Sequence, residues 1–131
     1  LHEKSTGRKT RSDETWRQQF SSIEKGRSFA VFIEDDDQLL AAGHFFVDRQ
    51  SCYYGSSATI EHGSKKTSFH PAIWTALNFA KKSGCRWFEL GEKRYLANVH
   101  PKSADENKKQ TISNFKSGFS ADQRLFLDYK V

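Results

Sequence analysis

Between Phe69 and Glu92 the chain reads FHPAIWTALNFAKKSGCRWFELGE, and the spacing of its apolar residues leaves little choice of structure. Phe69, Ile73, Ala76, Leu77 and Ala80 fall on one face of a 3.6-residue repeat, which predicts a buried amphipathic helix. Pro71 suits the first turn, where a missing N–H is not needed. Lys81 and Lys82 complement the negative end of the helix dipole, and Gly84 ends the helix. Cys85 to Leu90 then reads as a strand, with Trp87 and Phe88 on opposite faces.

The preceding residues supply the rest of a sheet. Asp13 reads as the N-cap of a helix whose apolar face is Trp16, Phe20 and Ile23, with Gly26 at its C-cap. Phe29 to Ile33 is a short apolar run rich in β-formers, and Asp35, Asp36 and Asp37 make a turn. Gln38 to Val47 forms a second strand, where the interior Gly43 suggests a bulge or a close backbone approach. Gln50 and Ser51 make another turn before a third strand from Cys52 to Ile60. Short links between these three strands predict an antiparallel meander. Residues 1–11 are basic, polar and without periodicity, and read as a flexible arm. Arg94 to Lys109 reads as a polar mobile loop, followed by a short helix from Gln110 to Ser117 and a strand from Arg124 to Tyr129.

At 131 residues the chain is long enough for one domain, expected at 12–131, that buries about two thirds of its unfolded surface. Its 11 Phe, 4 Tyr and 3 Trp make rings the main core material. Met is absent and the chain opens at Leu1, as expected of a piece excised from a longer product. No run of about 18 apolar residues is present to span a membrane, and the basic start lacks the apolar segment of a signal peptide. Cys52 and Cys85 show no CxxC spacing, and read as core thiols in a reducing cytoplasm. His44, His62 and His100 show no metal-ligand spacing. A net charge of +5 favours anionic partners without choosing among them. The basic residues are interspersed with acidic ones rather than gathered in a stripe, which disfavours a dedicated nucleic-acid binder.

The segment ISNFKSGF, Ile112 to Phe119, follows the Phe69–Glu92 block in a recognisable order. Together they resemble the C-terminal acyltransferase domain of the FemAB-like branch of the Gcn5-related N-acetyltransferase (GNAT) superfamily. The resemblance extends from about Thr10 to the end of the chain. It implies an α+β, GNAT-like acyltransferase fold: a mostly antiparallel mixed sheet around a central buried helix. It also implies transfer of an acyl or aminoacyl group from acyl-CoA or aminoacyl-tRNA to an amine, without a covalent enzyme intermediate. Lys116 would sit at the reaction centre with Phe115 packed beside it. A fixed ammonium there can stabilise the oxyanion of a tetrahedral intermediate. The strand ending in Glu89, Gly91 and Glu92 would splay from its neighbour to admit substrate, and a partly buried Glu92 could accept the amine proton.

Other residues are candidates on their own chemistry. Gly63, Ser64, Lys65, Lys66 and Thr67 precede a helix N-terminus, where free N–H groups favour a phosphate. The Gln/Arg-x-x-Gly-x-Gly/Ala loop of the acetyl-CoA branch does not occur before Pro71; the FemAB-like branch, which the chain resembles, commonly lacks that loop, and the resemblance there implies aminoacyl-tRNA as a frequent donor. The same residues also fit an ordinary polar loop capped at Ser68. His70 could line a cleft there or cap the helix. Tyr54 and Ser57 on the third strand could hydrogen-bond an acceptor, and Gly91 fits a sharp backbone turn. A non-catalytic accessory domain that docks a nucleotide, tRNA or protein remains the competing class, because one fold hosts many functions.

Overall fold

A computed structural model describes residues 1–62, 65–66, 68–92, 104–119 and 122–124. The chain divides into two compact units, Leu1–Gly91 and Glu92–Val131. The first contains helices α1 (His2–Thr6) and α2 (Asp13–Glu24), strands β1 (Ser28–Asp35), β2 (Gln38–Val47) and β3 (Ser51–Thr59), the short ribbon β4 (Glu61–His62) and β5 (Lys65–Lys66), helix α3 (His70–Lys82) and strand β6 (Trp87–Glu89). The second contains helix α4 (Ala104–Ser117). The architecture is α+β.

The main sheet has the order β1-β2-β3-β6. The first three strands form the expected antiparallel meander. Asp36 and Asp37 join β1 to β2 with φ of 46° and 61°. Positive φ at both central residues matches the twist of a two-residue hairpin, and Asp tolerates that conformation better than most side chains. After α3 crosses over, β6 returns parallel to β3 and makes the sheet mixed. It pairs only at Ser51–Trp87, Cys52–Phe88 and Tyr53–Glu89, although β3 continues to Thr59.

Cross-strand register separates two faces. One carries Phe29, Gly43, Phe45, Cys52, Tyr54 and Phe88, and α3 lies over it. Ala72, Ile73, Ala76 and Ala80 form the buried side of α3, one stripe of the helix. Rings make a continuous path through this layer: Phe79 to Phe29 at 4.4 Å, Phe29 to Phe45 at 5.2 Å, Phe45 to Tyr54 at 5.6 Å, and Tyr54 to Phe69 at 5.8 Å. Cys52 is buried beside them, and burial pushes its thiol up to about 12, with Cys85 adding to the shift. Both cysteines are free thiols; Cys52 is buried in the core and Cys85 is half-buried.

Gly43 marks the close approach its position suggests. A Cβ there would lie 2.6 Å from Phe69 Cζ and 2.9 Å from Phe45 Cε2. Both rings are buried and have nowhere to retreat. Gly43→Ala is therefore expected to destabilise the fold by about 1–3 kcal/mol, the range for overpacking a full core. Equilibrium urea unfolding, read as a lower midpoint at unchanged slope, checks it.

Four expectations change. Residues 1–11 are not simply an arm: α1 closes at Gly7, and His2 meets Trp16 edge-on at 5.3 Å. The cap of α2 is Ser12, whose Oγ accepts from the Thr15 N–H at 3.2 Å, one residue before the predicted Asp13. The polar run before Gln110 is helical from Ala104, so α4 is longer than its apolar residues suggest. Finally, β4 and β5 form a ribbon where a phosphate-binding loop was expected, pairing Glu61 with Lys66 and His62 with Lys65. Gly63, Ser64 and Thr67 lie outside the described residues, as do the segment 93–103 and most of the predicted strand from Arg124 to Tyr129.

Candidate functional site

The first candidate group stands where β3 loses its β6 neighbour. Between β2 and β3 the register shifts, from His44 opposite Ser56 to Phe45 opposite Tyr54. Gly55 is the extra residue of this β-bulge. Two residues three apart on a regular strand point to opposite faces, so Tyr54 and Ser57 should diverge. The bulge turns both toward α3, and their hydroxyls hydrogen-bond to each other. Burial raises the Tyr54 phenol above its ordinary value, and the Ser57 hydrogen bond opposes part of that rise. Tyr53 takes the other face and is exposed.

Around this pair the remaining candidates are more open to water. His70 is exposed at the first position of α3, its Nδ1 2.8 Å from Ser68 Oγ. The Ser68 hydroxyl also accepts from the His70 N–H at 3.4 Å, but the N-cap of α3 is Phe69 and no side chain caps the helix, so the cap read at Ser68 falls one residue too early. Glu89 is exposed on β6, and Gly91 has a φ of 81°, the sharp turn expected of it.

The second group lies within Glu92–Val131. Phe115, Lys116 and Phe119 are half-buried at the end of α4, the two rings meeting edge-on at 5.2 Å. The helix closes through a Phe119 N–H to Lys116 carbonyl bond at 3.1 Å. Burial lowers the Lys116 ammonium from its ordinary 10.5, and the Glu92 carboxylate acts in the opposite sense. A desolvated cation of this kind interacts more strongly with developing negative charge than one in bulk water. Glu92 itself is exposed, so the partial burial expected of a carboxylate base is not present. Its charge acts on Lys116 instead.

A third group escaped the sequence reading. On the face of the sheet opposite α3, His44 is 8% exposed and its Nε2 lies 2.9 Å from the buried Ser28 Oγ. Spacing along the chain says of His44 only that it lacks a metal-ligand pattern. The available signal was its place on the α2-facing register of β2, between Ala42 and Phe46. Burial lowers the His44 pKa below the ordinary 6.5, and the Arg11 guanidinium lowers it further. The folded protein thus resists a proton that the unfolded chain accepts near 6.5. Stability from this site is full above pH 6.5 and declines as the pH falls below it toward the folded value. His2 shifts in the same direction. Thermal unfolding followed from pH 7.5 to 5 should show a falling Tm, and His44→Asn should flatten part of that slope.

Among the described residues no group of three His, Cys, Asp or Glu side chains is placed to hold a metal. No described helix is long and apolar enough to cross a membrane. Comparison with protein-family models and with curated proteins finds no match to this chain.

Proposed function

We propose that the chain is a cytoplasmic acyltransferase domain of the FemAB-like, GNAT type, moving an acyl or aminoacyl group from a CoA or tRNA carrier to an amine. The observation that carries this reading is Lys116: an ammonium half-buried beside Phe115 and Phe119, with its pKa lowered by desolvation. In such a transfer the amine nitrogen attacks the acyl carbon, and a C–N bond forms. The thioester C–S or ester C–O bond breaks, the leaving group departs on the carrier, and the amine proton passes to a carboxylate or to water. The oxyanion of the tetrahedral intermediate is where a fixed cation contributes most. The parallel β3–β6 pair joined across α3, with pairing that stops at Tyr53 and Glu89, is compatible with the proposed fold. Buried Cys52 fits a reducing compartment.

The exposure of Glu92, Glu89 and His70 favours the second reading, an accessory domain that binds without chemistry. Turnover separates the two. The full chain, mixed with acetyl-CoA, longer acyl-CoAs or an aminoacyl-tRNA mimic and a panel of primary amines, should yield an acylated amine detectable by mass spectrometry. Donor-dependent thermal stabilisation with no product from any pair would favour the accessory domain. Neither product nor stabilisation would remove both.

A further inference from the structure

On the sheet face opposite α3, two rings meet water where β2 runs into its turn toward β3. Phe46 and Tyr53 are cross-strand partners there, 39% and 43% exposed, with ring centroids 6.5 Å apart and planes tilted by 35°. Phe46 is held from behind. Its ring lies on the bare backbone of Gly55, where a Cβ would come within 2.6 Å of Cε2, and the His44 ring meets it edge-on at 4.5 Å. Both exposed rings line a hollow of about 400 Å³, within the roughly 300–1,000 Å³ of small-molecule sites.

Opposite charges line the same hollow without neutralising each other. The Arg27 N–H donates to the Ser22 carbonyl and its own carbonyl accepts from the Val47 N–H, both at 2.9 Å. The Asp48 N–H donates to the Ser51 carbonyl at 2.9 Å, closing the turn between β2 and β3. These bonds fix both backbones and leave the guanidinium and the carboxylate exposed at the hollow. Among the described residues neither has an ion-pair partner.

That combination narrows the ligand. A quaternary ammonium would suit two rings and a carboxylate, but Arg27 repels it. A simple anion would suit Arg27, but Asp48 repels it. A nucleotide carries a phosphate for the guanidinium and a flat base for the rings. An ionised carboxylate only accepts hydrogen bonds, so the base edge at Asp48 must offer N–H donors side by side. Guanine does so with N1–H and its N2 amino group. We propose that this hollow binds a guanine nucleotide, its base against Phe46 and Tyr53, its donor edge at Asp48 and its phosphate at Arg27. Arg27 lies on the β1 side of the rings, whereas Glu89, opposite Tyr53, lies on the β6 side, so the phosphate points away from that carboxylate. The site is independent of the acyl-transfer reading: it uses none of Lys116, Glu92, Tyr54 or Ser57.

The test is an NMR titration of the full chain at pH 7 in low salt, where exposed charges are least screened. The probes are GMP, AMP, guanosine and the single strands UUGUU and UUAUU. GMP should shift the Tyr53 ring and the Asp48 amide saturably and bind at least about fivefold tighter than AMP, the lower end of what a bidentate pair discriminates. Guanosine, without the phosphate, should bind about tenfold more weakly than GMP. Asp48→Asn should remove the preference for GMP over AMP, and Arg27→Gln should bring GMP down to the level of guanosine. UUGUU binding well above both GMP and UUAUU would identify the source as an unpaired guanine in RNA, and UUGUU no tighter than GMP would identify the free nucleotide. Equal binding of GMP and AMP, or a preference that survives Asp48→Asn, would overturn the guanine assignment. GMP binding indifferent to Arg27→Gln would overturn the phosphate contact. Saturable shifts remote from Tyr53 and Asp48, or none with any probe, would overturn the site itself.

Discussion

Phe45→Ala is expected to cost about 3–5 kcal/mol, the range for truncating a buried aromatic side chain. Phe45 has no exposed surface and lies at the junction of the ring path: Phe29 at 5.2 Å, Tyr54 at 5.6 Å and Phe88 at 6.0 Å. Removing it takes apolar area out of burial and leaves a void between β1, β3, β6 and α3. The lining cannot easily collapse into that void, because Gly43 already allows Phe69 to sit against the sheet. In a unit of this size each kcal/mol corresponds to about 4–8 °C in Tm, so differential scanning calorimetry should show a large fall. A change below about 1 kcal/mol would mean that the rings do not form one packed layer.

Local chemistry explains which parts of this fold are readable in the sequence. The face of α3 follows from the spacing of Ile73, Ala76 and Ala80, and its limits follow from Pro71 and Gly84. The β1–β2 hairpin follows from consecutive aspartates between β-forming runs. Gly43 signals a close approach because a strand interior rarely omits a side chain without a neighbour needing the space. Each signal acts within a few residues.

What stays hidden depends on partners distant in sequence or on patterns with no apolar period. The α4 segment from Ala104 to Gln110 has almost no hydrophobic stripe, so periodicity offers nothing there. Ala104, Glu106, Lys108, Lys109 and Gln110 are good helix formers, and a polar contact four apart supports the following turn: Gln110 Nε2 to Asn114 Oδ1 at 2.8 Å. The Tyr54–Ser57 pair depends on a bulge at Gly55, and a one-residue register shift cannot be read from alternation. His44 is unremarkable until the Ser28 hydroxyl is found beside it, sixteen residues away. The hollow is subtler still. Ser22, Arg27, Asp48 and Tyr53 stand in separate stretches of the sequence, and only the end of α2 and the pairing of β1, β2 and β3 bring them around one space.

Lys116→Ala is expected to lower kcat for acyl transfer by about 10²–10³, the loss seen when one oxyanion-stabilising group is removed. KM should change little, because the contribution belongs to the transition state rather than to ground-state binding. A merely structural Lys116 would give a different pattern. Truncating it would lower Tm and reduce activity only in proportion to the folded fraction. The pH profile adds a second readout. The ammonium form is the one that stabilises an oxyanion, and burial holds its pKa below the ordinary 10.5. The Lys116 contribution should therefore be full below that lowered pKa and be lost as the pH rises through it, which sets the alkaline limb of the profile. Lys116→Arg keeps the charge to higher pH and should move the alkaline limb upward, even if the different geometry of the guanidinium reduces the rate. A Lys116→Ala variant that turns over at the wild-type rate would show that charge stabilisation in this protein comes from somewhere other than the Phe115–Phe119 pair.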